Sequence, residues 1–185
     1  MKNLLLLASL ASLLLAGCRQ EQQAAGTPAG PATEVAAAAP AEPVQTYTVD
    51  FPTLDLPTID GGRYVLAEQR GKWVVVNFWA TWCAPCIKEM PELSAMHAMR
   101  SHVAVVGLAY EDTSAEELRS FLQQRPVTYP IVIADPYDPP ADFATPRGLP
   151  MTYLLAPDGK VAHQFLGPIT AAQVEQKITE LGGTP

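Results

Sequence analysis

Beyond about residue 47 two hydrophobic textures alternate along this chain. Short apolar runs are separated by stretches in which apolar positions recur every three to four residues. Trp73 to Phe78 is β-branched and aromatic, broken only by Asn77, which predicts a strand buried on both faces. Leu93, Met96 and Met99 lie near helical spacing and predict a helix over Ala84 to Met99. His102 to Ala109 is a second apolar strand. The run Thr113-Ser114-Ala115-Glu116-Glu117 offers a capped helix start, with the helix reaching about Gln124. Tyr129 to Ala134 is a third strand. Met151 to Ala156 and Val161 to Leu166 flank Pro157-Asp158-Gly159, which predicts a hairpin. Thr170 to Leu181 closes as a helix ended by Gly182-Gly183. At the start of the region, Leu54 to Ile59 and Tyr64 to Leu66 around Asp60-Gly61-Gly62 predict a smaller hairpin.

The order is hairpin, βαβαβ, then ββα. Strands alternating with helices imply a parallel sheet covered by helices on both faces, and the last hairpin adds antiparallel strands. The fold class is therefore α/β, a mixed central sheet between helices with an N-terminal β-hairpin. No internal repeat is visible.

The first 46 residues have a different texture. Lys2 precedes a largely apolar run of 12 residues, Leu4 to Leu15. That is too short to span a bilayer, which takes roughly 20 residues, and suits the core of a signal peptide. The run ends in Leu15-Ala16-Gly17-Cys18, which resembles the bacterial lipoprotein box. The resemblance implies a signal peptide over 1–17, cleavage before Cys18 and a lipid on its sulfur. With Arg19 following, it implies an anchor on the periplasmic side of a bacterial membrane, the outer membrane favoured. Three acyl chains would give stable anchoring, whereas one is marginal. Residues 19–46 are rich in Ala, Pro, Gln, Glu and Thr without a periodic apolar face, so 18–46 reads as a lipidated Cys and a disordered tether. Its reach as a flexible coil is roughly 30 Å. Residues 47–185 form the folded domain.

A formal net charge of −7 with no basic run disfavours nucleic-acid binding. The three cysteines, Cys18, Cys83 and Cys86, are too few for a disulfide scaffold and divide into one isolated residue and one pair.

The segment Asn77-Phe78-Trp79-Ala80-Thr81-Trp82-Cys83-Ala84-Pro85-Cys86 resembles the active site of the thioredoxin superfamily, and the exported, tethered layout resembles its TlpA/ResA-like branch. The likeness extends over nearly all of 47–183. A strand feeding a helix puts Cys83 at the helix N-terminus, where free N–H groups and the dipole favour an attacking thiolate. Cys86, one turn on, shares its helix face, with Cα atoms roughly 5–6 Å apart, and would resolve the mixed disulfide. A structural zinc site takes four ligands, and no second Cys pair exists, so no metal is expected at this pair, nor any cofactor.

The resemblance implies further roles. Pro150, in Gly148-Leu149-Pro150-Met151-Thr152, matches the family's cis-proline, which lies against the cysteines while the preceding backbone, here Leu149, meets the substrate chain. Trp82, Ala84, Pro85, Leu149 and Pro150 are the expected substrate-binding residues, with Trp82 partly exposed and Trp79 supporting from beneath. Asn77 stands where many thioredoxins carry a buried Asp. It cannot titrate, so the proton role falls to Glu89, which matches the acidic residue of TlpA/ResA-like proteins. Pro91 matches a helix kink. His97, His102 and His163 read as ordinary residues, and Met90, Met96 and Met99 as core. The expected function is reduction of protein disulfides outside the cytoplasm, for example in cytochrome c assembly, by a monomer that a membrane electron donor re-reduces. A disulfide oxidant or isomerase is the alternative, and a copper metallochaperone a more distant one. The Pro-rich stretch Pro136 to Pro146 departs from the family pattern.

Overall fold

A computed structural model describes residues 47–184. The leader, Cys18 and the tether lie outside the described residues. The elements run β1 Asp55–Pro57, β2 Arg63–Val65, one 3-10 turn Leu66–Gln69, β3 Trp73–Trp79, α1 Ala84–Met99, β4 Val103–Ala109, α2 Ala115–Gln123, β5 Ile131–Ile133, β6 Met151–Leu155, β7 Val161–Leu166 and α3 Ala171–Glu180. β1 and β2 form the small antiparallel hairpin, and the other strands form one sheet in the order β5-β4-β3-β6-β7. β3, β4 and β5 are mutually parallel, β6 is antiparallel to β3, and β7 is antiparallel to β6.

Every residue of β3 and β4 is buried, as their unbroken apolar runs require. The helices start where their first N–H groups find acceptors. Ser114 and Glu117 form a reciprocal capping box for α2, and Thr170 with Gln173 does the same for α3. The far end of α3 is closed by Gly182 at φ 82° and by a bond from Gly183 N–H to Ile178 O of 2.8 Å. β5 is shorter than the apolar run Tyr129 to Ala134. Pro130 has no N–H to give a ladder, and its carbonyl instead accepts the Gly107 N–H at 3.0 Å.

The α/β sandwich expected from the sequence is present, but its helices are unevenly divided. Val75, Trp79, Val105 and Leu154 pack with Cys86, Leu93, Leu118, Val174 and Ile178, so all three α-helices bury their apolar sides on one face. Steps from β3 to β4 to β5 proceed in one direction, and right-handed crossovers then put α1 and α2 on the same side. The second face is covered by Leu54 and Tyr64 of the hairpin region, Leu66 of the 3-10 turn and Phe143 of the Pro-rich connection. Phe143 lies 5.9 Å from Phe78 and 5.4 Å from Tyr153, ring centre to ring centre.

That connection is held by the segment entering the domain. Val49 N–H donates to Asp142 O at 3.0 Å, and the Thr53 hydroxyl to Asp142 Oδ2 at 2.6 Å. The Thr48 hydroxyl donates to Tyr153 Oη and accepts from Ala144 N–H, both at 2.8 Å. The Pro-rich stretch is thus fixed on the sheet as it leads into Leu149 and Pro150. Thr58 bridges Val132, so the hairpin region also covers the β5 edge.

β5 pairs only with Gly107 to Ala109, which leaves the start of β4 without a strand on that side. There His97 of α1 completes the ladder, its Nδ1 accepting the Val105 N–H at 3.1 Å. Burial, and then the charge of Lys72, hold the His97 imidazolium pKa below its ordinary value. A histidine depressed on folding contributes stability above its unfolded pKa, about 6.5, which is lost as pH falls through the folded value. The melting temperature should therefore fall as the pH is lowered from about 6.5. A His97→Asn variant should be less stable at neutral pH and show a flatter profile below that pH; parallel profiles would remove His97 as the cause.

Candidate active site

The last residue of β3 is Trp79, and four residues later Cys83 caps α1. A turn closed by Cys83 N–H to Ala80 O, 3.1 Å, makes the change of direction. Cys83 has extended backbone angles, and its Sγ accepts the Cys86 N–H at 3.3 Å, as a Ser or Asp oxygen would at an ordinary N-cap. Ala84 and Pro85 fill the first helical positions, where a missing N–H costs nothing. Cys83 and Cys86 are joined in a disulfide with Cα atoms 5.3 Å apart.

The environments of the two sulfurs differ. Cys83 borders exposed Trp82, Ala84 and Pro85, whereas Cys86 is wholly buried in the core between α1 and the sheet. Trp82 is 70% exposed and Trp79 is fully buried. Gly107, the β4 partner of Asn77, makes room for that tryptophan: a Cβ there would stand 3.0 Å from Trp79 Nε1 and from Tyr129 Cε2, and 2.6 Å from Ile131 Cδ1.

The Leu149–Pro150 peptide is cis. Met151 pairs with Phe78, so Pro150 is brought level with the end of β3 from which the Cys83 turn departs. Leu149 is half-buried and Pro150 buried. Leu166 ends β7 opposite Met151 and is 72% exposed, and Gly167 N–H donates to Pro150 O at 2.9 Å. An apolar side chain thus stands in the open beside the cis-proline segment. The sequence reading did not single it out, because an isolated apolar strand end carries no signal of its surroundings.

Beneath the cysteines lies a polar cluster inside the apolar core. Glu89, one turn beyond Cys86 on α1, is 3% exposed. Its Oε1 accepts from Asn77 Nδ2 at 2.8 Å and its Oε2 from Ile169 N–H at 2.8 Å. Asn77 Nδ2 also donates to Thr152 Oγ1 at 2.9 Å, which joins β3, α1, β6 and the approach to α3. Burial raises the Glu89 pKa above the usual carboxylate range, and the donors Ile169 N–H and Asn77 partly oppose it. Asn77 therefore has a positive role, holding the carboxylate in place.

A second acidic residue reaches the site from the segment just after β4. Glu111 accepts the Thr81 N–H at 2.7 Å through Oε1 and the Thr81 hydroxyl at 2.8 Å through Oε2. Sequence inspection passed it over, since only the parallel register that places Ala109 beside Trp79 brings it to the turn.

A cysteine pair capping the helix that follows a central strand, facing a cis-proline at the start of an antiparallel strand, defines a thioredoxin-like thiol–disulfide oxidoreductase. The chain belongs to the AhpC/TSA family, whose model matches residues 48–174. It is 33% identical over 130 residues to the thioredoxin-like protein YneN of Bacillus subtilis strain 168, an overlap of 69% of this chain and 75% of that protein. It is 31% identical over 134 residues to the thiol-disulfide oxidoreductase ResA of Bacillus cereus, covering 70% of this chain and 77% of that one. The structure is similar to that of a Chlorobium tepidum protein described as a thiol:disulfide interchange protein DsbE. The TM-score is 0.60 at 27% identity, over 75% of this chain and 99% of that one.

Proposed function

We propose that this oxidoreductase works as a reductase of disulfides in exported proteins, with Cys83 as nucleophile, Cys86 as resolving thiol and Glu89 as proton acceptor. The observation that carries the assignment of roles is the unequal setting of the two sulfurs. Cys83 lies at the helix N-terminus next to exposed residues, and Cys86 is enclosed one turn below, on the face that carries Glu89.

In the reduced enzyme the Cys83 thiolate attacks a client disulfide, forming a mixed disulfide and releasing one client thiolate. The Cys86 thiol passes its proton to the Glu89 carboxylate. The Cys86 thiolate then attacks Cys83 Sγ, the client's second thiolate departs, and the Cys83–Cys86 disulfide closes. Two electrons pass to the client. Trp82, Ala84 and Pro85 on one side and Leu149 and Pro150 on the other bound the place where the client chain lies. A carboxyl whose pKa burial raises is a better match to a thiol donor near neutral pH than an ordinary glutamate. A membrane electron donor returns the enzyme to the dithiol, and the protein works as a monomer. Clients include proteins of cytochrome c assembly.

The lipoprotein-type leader over 1–17, followed by Cys18, supports export and lipid attachment, and the Ala/Pro-rich segment beyond supports a tether between membrane and domain. Among the described residues no helix is long and apolar enough to cross a membrane.

The midpoint potential against glutathione or dithiothreitol, read from tryptophan fluorescence, tests the direction of transfer. A value near or below roughly −250 mV is expected, and one near roughly −120 mV would make the protein an oxidant. Glu89→Gln should slow resolution of a preformed mixed disulfide by about 100-fold at neutral pH and leave its formation near the wild-type rate; unchanged resolution would take the proton role away from Glu89. Cys18→Ala should move the protein from the membrane to the soluble fraction of expressing cells and abolish incorporation of labelled fatty acid. Retention at the membrane would remove the anchor.

A further inference from the structure

The turn that leads into Cys83 is held by a charged group where a neutral one would satisfy the backbone. At the ends of β3 and β4 the ladder is still made by main chain, with Tyr110 N–H donating to Trp79 O at 2.8 Å. Two residues beyond Trp79 the acceptor changes. The Thr81 N–H meets the Glu111 carboxylate at 2.7 Å, and the Thr81 hydroxyl meets its second oxygen at 2.8 Å. A two-point carboxylate contact of this kind fixes orientation as well as position. Thr81 lies inside the turn closed by Cys83 N–H and Ala80 O, so the grip sets where the Cys83 sulfur stands relative to the first turn of α1. Among the described residues the Glu111 carboxylate pairs with no cationic side chain. It is half-buried, so its charge is neither neutralised by a partner nor fully screened by water.

We propose that Glu111 is a positioning residue of the redox pair that also opposes, through its charge, the stabilisation the α1 N-terminus gives the Cys83 thiolate. The helix N-terminus favours an anion at Cys83. Left unopposed, that favours the reduced side of the couple, with Cys83 as thiolate, and makes a pair more oxidising, as in enzymes whose reduced form is strongly stabilised. A carboxylate beside the same turn disfavours the thiolate and shifts the couple toward giving electrons up. The inference deepens the reductase reading and rests on it for the nucleophilic role of Cys83.

The decisive comparison is between Glu111→Gln and Glu111→Asp in the full domain, residues 47–185, with circular dichroism confirming the fold of each. Gln keeps an oxygen for the Thr81 N–H and removes the charge; Asp keeps the charge and shortens the reach. The readouts are the rate of Cys83 alkylation by iodoacetamide against pH and the equilibrium constant with glutathione. One unit of charge beside the turn changes such an equilibrium about threefold, an interaction on the order of RT at the dielectric of water. Glu111→Gln should therefore move the alkylation profile to lower pH, with about threefold more thiolate at a fixed pH below its midpoint, and make the pair about threefold easier to reduce. The difference from wild type should shrink in molar salt. Glu111→Asp should stay near the wild-type profile while melting earlier. Any other pattern overturns the proposal: equal shifts in both variants would assign the effect to turn geometry, and no shift in Gln would leave the charge without a role. The absolute wild-type potential tests the reductase reading and the Gln difference tests this one, so either can fail alone.

Discussion

A helix needs acceptors for the N–H groups of its first turn, and in α1 one of those acceptors is the sulfur of Cys83. The requirement puts the Cys83 sulfur, the proposed nucleophile, where the backbone's positive end is concentrated, an effect worth roughly 0.3–1 kcal/mol at an exposed helix end and more when partly buried. It also fixes Cys86 one turn below, at a Cα separation of 5.3 Å that suits a disulfide. The junction can only be placed this way because β3 is central and buried throughout, so that its end is a rigid point from which the turn leaves.

Inside the same core a carboxylate is tolerated because each of its oxygens has a donor. Asn77 Nδ2 and Ile169 N–H, both at 2.8 Å, offset part of the cost of burying Glu89, and the remainder shows as a raised pKa. The balance serves the proposed chemistry. Further donors would lower the pKa of this carboxyl and fewer would leave burial to raise it more. Asn77, which cannot titrate, acts by fixing its neighbour, and through Thr152 it ties that neighbour to the strand that begins after Pro150.

The two faces of the sheet divide the labour. The helical face holds the cysteines and the polar cluster. The other, covered by the hairpin region, one 3-10 turn and Phe143, fixes the chain that leads to the cis-proline. Because residues 48–53 grip Asp142 and Tyr153, the point at which the chain enters the domain and the loop that precedes Leu149 are held as one structure. The YneN and ResA relatives are identical to this chain at about one position in three over the matched 130 and 134 residues.

Much of this was legible in the chain itself. Continuous apolar runs gave β3 and β4, a Ser-x-x-Glu signal gave the start of α2, and Cys-Ala-Pro-Cys after a strand placed the redox pair, because each depends on interactions among residues a few positions apart. The same local logic overextended β5, where Pro130 intervenes. It also could not say that all three α-helices share one face, since that follows from the direction of successive strand crossings. The donors on Glu89 come from 12 and 80 residues away, and the grip of Glu111 on Thr81 spans 30. Sequence determined the elements and the reacting sulfurs, which local spacing encodes. Only the tertiary structure decided which distant groups surround them, because strand register and crossover hand, not sequence distance, set what stands within hydrogen-bonding reach.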